Sequence, residues 1–293
     1  MKQRIGVIGC GTMGSAIVSG LLGSRMSRSR LISVFDSVRA KSQILSQKFG
    51  VKVTRSNSQL VQEADVIVLA VKPQDLKWLG PEVRRSFKKG AVVISILAGT
   101  PLRALRQFLG TRPVLVRAMP NLGAQVGESV TALTGSHRRS LAVAEKIFSG
   151  CGKVVYVPER QFDLVTALSG SGPAYFFLLM ELLVHIGVRG GLAKTTARLL
   201  AVQTALGAAK LAQASSVEPG ELRRRVTSKK GTTEAALRYL EQKRFPKMFS
   251  EAIARAVRRS RQLSEYRTPS AGRGKQTGLT SPCGRRPVLF LGG

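Results

Sequence analysis

The first half of the chain alternates short, nearly continuous apolar runs with stretches of helical period. Ile5–Ile8 and residues 31–35, 65–71, 91–97 and 114–118 are the strand candidates, and residues 154–157, closed by Pro158, add a late one. Strands that are apolar throughout are buried on both faces. Interleaved with helices, they predict a predominantly parallel sheet covered on both sides, an α/β unit spanning residues 1–158.

From residue 159 the strand signals stop, and Ala, Leu, Arg and Lys dominate. Residues 163–169, 173–187, 195–214, 219–226, 232–242 and 245–264 read as helices, with Gly187, Gly190 and Gly191 breaking the first long pair. This predicts an all-α second domain over 159–266. Its alanine-rich faces suit close helix packing within a chain or between chains. Residues 267–293 are rich in Gly, Pro, Ser and Arg without periodicity and read as a flexible tail.

The length of 293 residues fits two domains of ordinary size. Composition then removes several classes. The N-terminus enters the first strand directly rather than a signal-peptide core. No uninterrupted apolar stretch approaches the length of a membrane span. Cys10, Cys151 and Cys283 are an odd number with no close pair, which argues against a disulfide framework and fits a reducing cytoplasm. With only His137 and His185, a three-histidine metal site cannot be built from one chain, and no metal is expected. His185 reads as a packed or interface residue, and His137 as a solvated loop residue.

The net charge of +31 raises a second reading, a nucleic-acid or acidic-surface binder resting on Arg223-Arg224-Arg225, Lys229-Lys230 and Arg258-Arg259. Aromatics are only 5%, no nucleic-acid motif is present, and the excess is spread over all three regions. A binding arm concentrates its charge instead.

Gly9-Cys10-Gly11-Thr12-Met13-Gly14 follows the first strand directly and opens a helical pattern. This is the context of a dinucleotide-binding Rossmann fingerprint. Gly9 permits the tight turn, Gly11 admits a pyrophosphate, Gly14 lets helix and strand approach, and the helix N-terminus offers free N–H groups. The second strand ends at Asp36. An acid there suits the ribose hydroxyls of NAD, whereas Ser37, Arg39 and Lys41 suit the 2′-phosphate of NADP. The cationic cluster favours NADPH, with NADH as the alternative. A helix N-terminus also lowers a thiol pKa, so Cys10 is a candidate oxidation-sensitive residue.

Three further motifs matter together: Ala70-Val71-Lys72-Pro73 after a strand, Arg117-Ala118-Met119-Pro120-Asn121, and the helical block from Leu168 to Tyr175 followed later by residues 226–233. With the glycine loop, and in this order and spacing, the chain from about residue 3 to 266 resembles pyrroline-5-carboxylate reductase. The resemblance implies reduction of the C=N bond of 1-pyrroline-5-carboxylate to L-proline with NADPH or NADH. It also implies helices that interlock two subunits into a homodimer, possible assembly of dimers into a higher oligomer, and a substrate site near the dimer interface. Gly9 to Gly14 and Ser37 would cradle the phosphates, and Asn57 would approach the adenosine. Val71, Lys72 and Ala98 would line the path to the nicotinamide, with Asn121 close by. Glu159, Thr232 and Thr233 would fall at the substrate. A related imine or hydroxyacid reductase is the alternative within the same fold.

The residues of the substrate loop support this chemistry by themselves. Gly231-Thr232-Thr233-Glu234 opens a helix, with Glu234 placed as a capping-box acid. Free N–H groups there bind a carboxylate, aided by the helix dipole, and Ser228 and Thr233 add hydroxyl donors. A pyrrolinium is already electrophilic, so catalysis reduces to positioning and electrostatics. Thr233 is the candidate partner of the ring nitrogen or carboxylate. The family usually carries Pro-Gly where this chain has Lys229-Lys230. A positive φ at Lys230 would cost about 1 kcal/mol relative to glycine.

Overall fold

The computed structural model describes residues 2–265, so the expected tail over 267–293 lies outside the described residues. Eight strands form one sheet: β1 (Ile5–Ile8), β2 (Ile32–Phe35), β3 (Lys52–Val53), β4 (Val66–Leu69), β5 (Val92–Ser95), β6 (Val114–Met119), β7 (Ser129–Gly135) and β8 (Gly152–Tyr156), in the order β3-β2-β1-β4-β5-β6-β7-β8. Every pairing is parallel except that of β6 with β7. All residues of β1 and β4 are buried, as uniformly apolar strands require.

Helices α1 (Thr12–Gly23), α2 (Arg39–Phe49), α3 (Asn57–Glu63), α4 (Leu76–Val83), α5 (Leu102–Leu109) and α6 (Arg138–Ser149) cover the two faces. One core gathers Ile17, Val18 and Leu21 of α1 with Ile147 and Phe148 of α6; the other gathers Leu60, Leu79, Val83 and Leu105. β2 and β4 flank β1 on opposite sides, which opens a crevice at the carboxyl ends of these strands.

Two strands escaped the pattern. β3 has two residues, too few for a period. β7 is built from Ser, Thr, Ala and Gly as much as from Val and Leu, and takes its place by pairing with β6 and β8.

Beyond β8 the structure is helical: α7 (Phe162–Val165), a π-turn over Thr166–Gly170, then α8 (Gly172–Arg189), α9 (Lys194–Ala214), α10 (Pro219–Arg225), α11 (Thr232–Gln242) and α12 (Phe245–Glu265). α8 packs on α9, and α12 packs on α7 and the π-turn. Ser260 Oγ donates to Asp163 Oδ1 at 2.6 Å. Residues 159–189 run as one helical segment long and apolar enough to cross a bilayer by length and composition, a candidate that the absence of an uninterrupted apolar stretch had hidden. Only 6% of its apolar window is buried within the chain. Its face includes Phe176, Leu179, Leu183 and Ile186, all exposed.

Candidate active site

The phosphate loop takes the form its glycines require. Gly9 has φ +99°, and a Cβ there would stand 2.6 Å from the main chain of Ala70. A Cβ on Gly14 would collide with the Gly9 carbonyl. Gly11 differs: a Cβ there meets nothing within 4 Å. Gly11 is also the N-cap of α1, and no side chain caps that end. The first-turn N–H groups therefore have no acceptor within the helix, and they face an opening large enough for a side chain. A dinucleotide pyrophosphate fits both features.

A cleft of about 580 Å³ continues from this loop. Gly9, Gly11, Asp36, Ser37, Asn57, Ala70, Val71 and Lys72 all line it, so the fold brings half of the anticipated cofactor residues to one cleft. Lys41 and Trp78 line it as well. Trp78 had not been singled out; its signal was being the sole tryptophan of the chain, one turn beyond the Lys72-Pro73 motif.

Asp36 behaves differently from a free ribose acceptor. Its Oδ2 accepts from the Cys10 N–H at 2.7 Å and its Oδ1 from the Val38 N–H at 2.8 Å. The carboxylate thus ties the end of β2 to the phosphate loop. Asn57 donates from Nδ2 to Glu82 Oε2 at 2.8 Å, while its Oδ1 is buried without a partner.

Cys10 corrects the expectation of a reactive thiol. It is 5% exposed, and its pKa is pushed up to about 12, first by burial and then by the nearby Asp36 charge, which Lys41 offsets in part. Burial likewise raises Cys151 to about 11. Burial outweighs the helix terminus because the thiolate would lose its water. In a Cys283→Ser protein, a thiol reagent at pH 8 is expected to modify Cys10 and Cys151 only after unfolding, and rapid labelling of the native state would contradict this. The unfolded thiols ionise near pH 9 and the folded ones only near 11–12, so their contribution to stability is lost as pH rises through that window.

A second cavity, of about 410 Å³, lies beyond the phosphate loop. Met13, Ile96, Met119, Asn121, Ala174 and Phe177 are among its walls, joining α1, the ends of β5 and β6, and the start of α8. The π-turn sets its shape. A Cβ on Gly170 would collide with Met119 Cε, and Ser169 Oγ accepts from Asn121 Nδ2 at 3.2 Å. Such turns recur at functional sites. Ala98 lies beside it in sequence, in the loop where Gly99 abuts Leu263 of α12.

Glu159 is placed on structural partners. Its Oε1 accepts from the Leu102 N–H at 2.7 Å, at the start of α5, and pairs with Arg117 Nη1 at 3.3 Å. Arg117 is buried and also lies over the Phe162 ring at 4.6 Å. Burial lowers its pKa, and Glu159 opposes that shift. Glu159 thus ties the start of the helical region to the sheet region.

Gly231 is the N-cap of α11, again without a side-chain cap, so the N–H groups of Thr232, Thr233 and Glu234 have no intrahelical acceptor. The capping box is shifted by one residue. Glu234 Oε2 accepts from the Lys230 N–H at 2.6 Å, while the Gly231 N–H donates to the Ser228 carbonyl at 3.0 Å. Lys230 has φ +62°, the left-handed conformation that favours glycine. Within the chain α11 packs on α12, and neither Thr232 nor Thr233 lines the two cavities above.

Residues 159–263 match the pyrroline-5-carboxylate reductase dimerisation family, and residues 4–99 match a family described as NADP oxidoreductase, coenzyme F420-dependent. The pyrroline-5-carboxylate reductase of Pseudomonas aeruginosa is 38% identical over 89% of this chain and 97% of its own length. The Coxiella burnetii enzyme of the same name has a solved structure that superposes with a TM-score of 0.83 at 37% identity, covering 90% of this chain and 99% of that one. A Plasmodium falciparum pyrroline carboxylate reductase structure with NADP bound gives 0.81 at 26% identity, covering 90% and 98%. The chain therefore belongs to the pyrroline-5-carboxylate reductase family, whose members are NAD(P)H-dependent oxidoreductases of proline biosynthesis.

Proposed function

We propose that this reductase prefers NADPH to NADH and works in the cytoplasm as a homodimer, in which the α11 loop of one copy completes the substrate site of the other. The observation that carries the cofactor preference is Asp36. Both of its oxygens are engaged by main-chain N–H groups, while Ser37 and Lys41 line the cleft and Arg39 opens α2 beside them. Two main-chain N–H groups occupy about half of the acceptor sites of this carboxylate and soften its repulsion of a 2′-phosphate. The neighbouring cations favour that phosphate.

The dinucleotide supplies a hydride when bound. Gly9, Gly11 and the uncapped end of α1 hold its phosphates, with Cys10, Thr12, Met13 and Gly14 setting the loop. Val71, Lys72, Pro73 and Ala98 line its path, and Asn121 is fixed by Ser169 at the second cavity. The apolar walls of that cavity exclude water. The start of α11 receives the substrate carboxylate, and the Thr233 hydroxyl donates to the carboxylate or holds the ring nitrogen.

The exposed apolar faces of α8 and α9 support the dimer. Ile186 and Leu199 are each 66% exposed, in a region that matches a dimerisation family. Contiguous apolar surface of this kind marks an interface. The two free, buried cysteines among the described residues suit a reducing compartment.

Following NADPH and NADH consumption with pyrroline-5-carboxylate, and identifying proline as product, tests the reading. The expected result is a kcat/KM at least about tenfold higher with NADPH, the order of one charge-assisted hydrogen bond. Equal values for the two cofactors would sink the preference.

A further inference from the structure

Helix α4 turns one face to the nucleotide cleft. Asp75, Trp78, Leu79 and Glu82 recur at i, i+3, i+4 and i+7, and all four line it. The other wall comes from the segment after β2, where Val38 is 51% exposed. Trp78 is 73% exposed although it is the largest apolar side chain available to a core. Lys77 Nζ lies 4.9 Å from its ring centroid, a cation–π contact within helix α4. Beside it, Glu82 only accepts hydrogen bonds, which fixes the Asn57 amide with Nδ2 towards Glu82. Asn57 Oδ1 is left as a buried acceptor without a donor. That oxygen is closed off from the cleft, whereas the exposed indole and the Glu82 carboxylate share one wall of it, a pairing that matches a planar base carrying an amino group.

We propose that Trp78 is the stacking platform for the adenine of the dinucleotide, and that the Glu82 carboxylate, held by Asn57, reads its exocyclic amine. This rests on the dinucleotide reading of the cleft. An indole face gives any aromatic base a sequence-tolerant contact, and the carboxylate adds preference for an amino over an oxo substituent.

Because Trp78 is the sole tryptophan, its emission reports this site alone. NADPH is titrated into the full-length protein with calorimetry and tryptophan emission recorded in parallel. The expected result is a change in emission that saturates with the calorimetric Kd. Trp78→Ala is expected to weaken NADPH and NADH alike by about tenfold to a hundredfold, and Trp78→Phe to recover most of the loss. The hypoxanthine analogue of NADPH, which lacks the amine, is expected to bind at least about fivefold more weakly than NADPH to the parent protein.

Heat without an emission change, or parent affinity in Trp78→Ala, overturns the platform and leaves the dinucleotide site standing. Equal binding of the hypoxanthine analogue overturns the reading of the amine. Emission that responds to protein dilution but not to NADPH assigns Trp78 to a subunit contact and overturns the proposal. No heat with the parent protein overturns the dinucleotide site and the proposal together.

Discussion

Gly11→Asp is expected to leave the protein folded and to abolish useful dinucleotide binding. A Cβ at this position meets nothing within 4 Å, and an aspartate is a favourable N-cap for α1. Its melting temperature should therefore stay within a few degrees of the parent. The carboxylate, however, stands where the uncapped helix end receives a pyrophosphate. Two like charges about 4 Å apart near a protein surface repel by about 4 kcal/mol, which is roughly a thousandfold in affinity. Solvent at the open cleft reduces this, so an NADPH Kd raised by about a hundredfold to a thousandfold is the expected calorimetric result. Gly14→Ala provides the contrast. Its Cβ collides with the Gly9 carbonyl, so binding and thermal stability should fall together. A Gly11→Asp protein with the parent Kd would place the pyrophosphate elsewhere and withdraw the cofactor site described above.

The second large effect is on the substrate side. Thr233→Val keeps the shape of the side chain and removes its hydroxyl. No hydrogen bond engages that hydroxyl among the described residues, and α11 has no side-chain cap, so stability is expected to be unchanged. Losing one positioned donor in a site of this kind lowers turnover by about a hundredfold to a thousandfold. We expect kcat/KM for pyrroline-5-carboxylate to drop by that factor while the NADPH Kd is unaltered. Thr233→Ser should restore most of the activity. Parent-like turnover in Thr233→Val would remove Thr233 from the reaction and leave the N–H groups of α11 as the substrate's anchor.

The two predictions probe opposite ends of the chain, and in one copy these ends do not meet. α11 packs on α12, and the cavities around β1, β4 and β6 contain neither Thr232 nor Thr233. The exposed faces of α8 and α9 explain how such a separation is workable. They are exposed apolar surface in a region that matches a dimerisation family, and under the proposed function covering them brings the α11 loop of a second copy into range. Glu159 belongs to this framework. Its contacts with Leu102 and Arg117 hold the helical region against the sheet.

The amino-acid sequence by itself determined the parts of this protein that depend on neighbours along the chain. Nearly continuous apolar runs marked β1, β2, β4, β5 and β6, and in β1 and β4 burial on both faces leaves no polar alternation. Gly9, Gly11 and Gly14 marked the phosphate loop because only their spacing closes a strand onto a helix. The family resemblance singled out Lys230 as standing where glycine is usual, and its φ of +62° is the left-handed conformation that glycine favours.

Only the tertiary structure decided contacts between distant segments. β7 exists because β6 and β8 offer it hydrogen bonds. Asp36 turns its carboxylate onto Cys10, 26 residues away, and Glu159 reaches Arg117 across 42. Cys10 sits at a helix start, which suggested an acidic thiol, yet the packing around it raises the pKa. The cleft-facing row of α4, and with it Trp78, appeared only once β4 lay beside β1. Periodicity records which face of an element is buried. Which partner buries it, and what stands across the gap, follows from the pairing of strands that the local pattern does not encode.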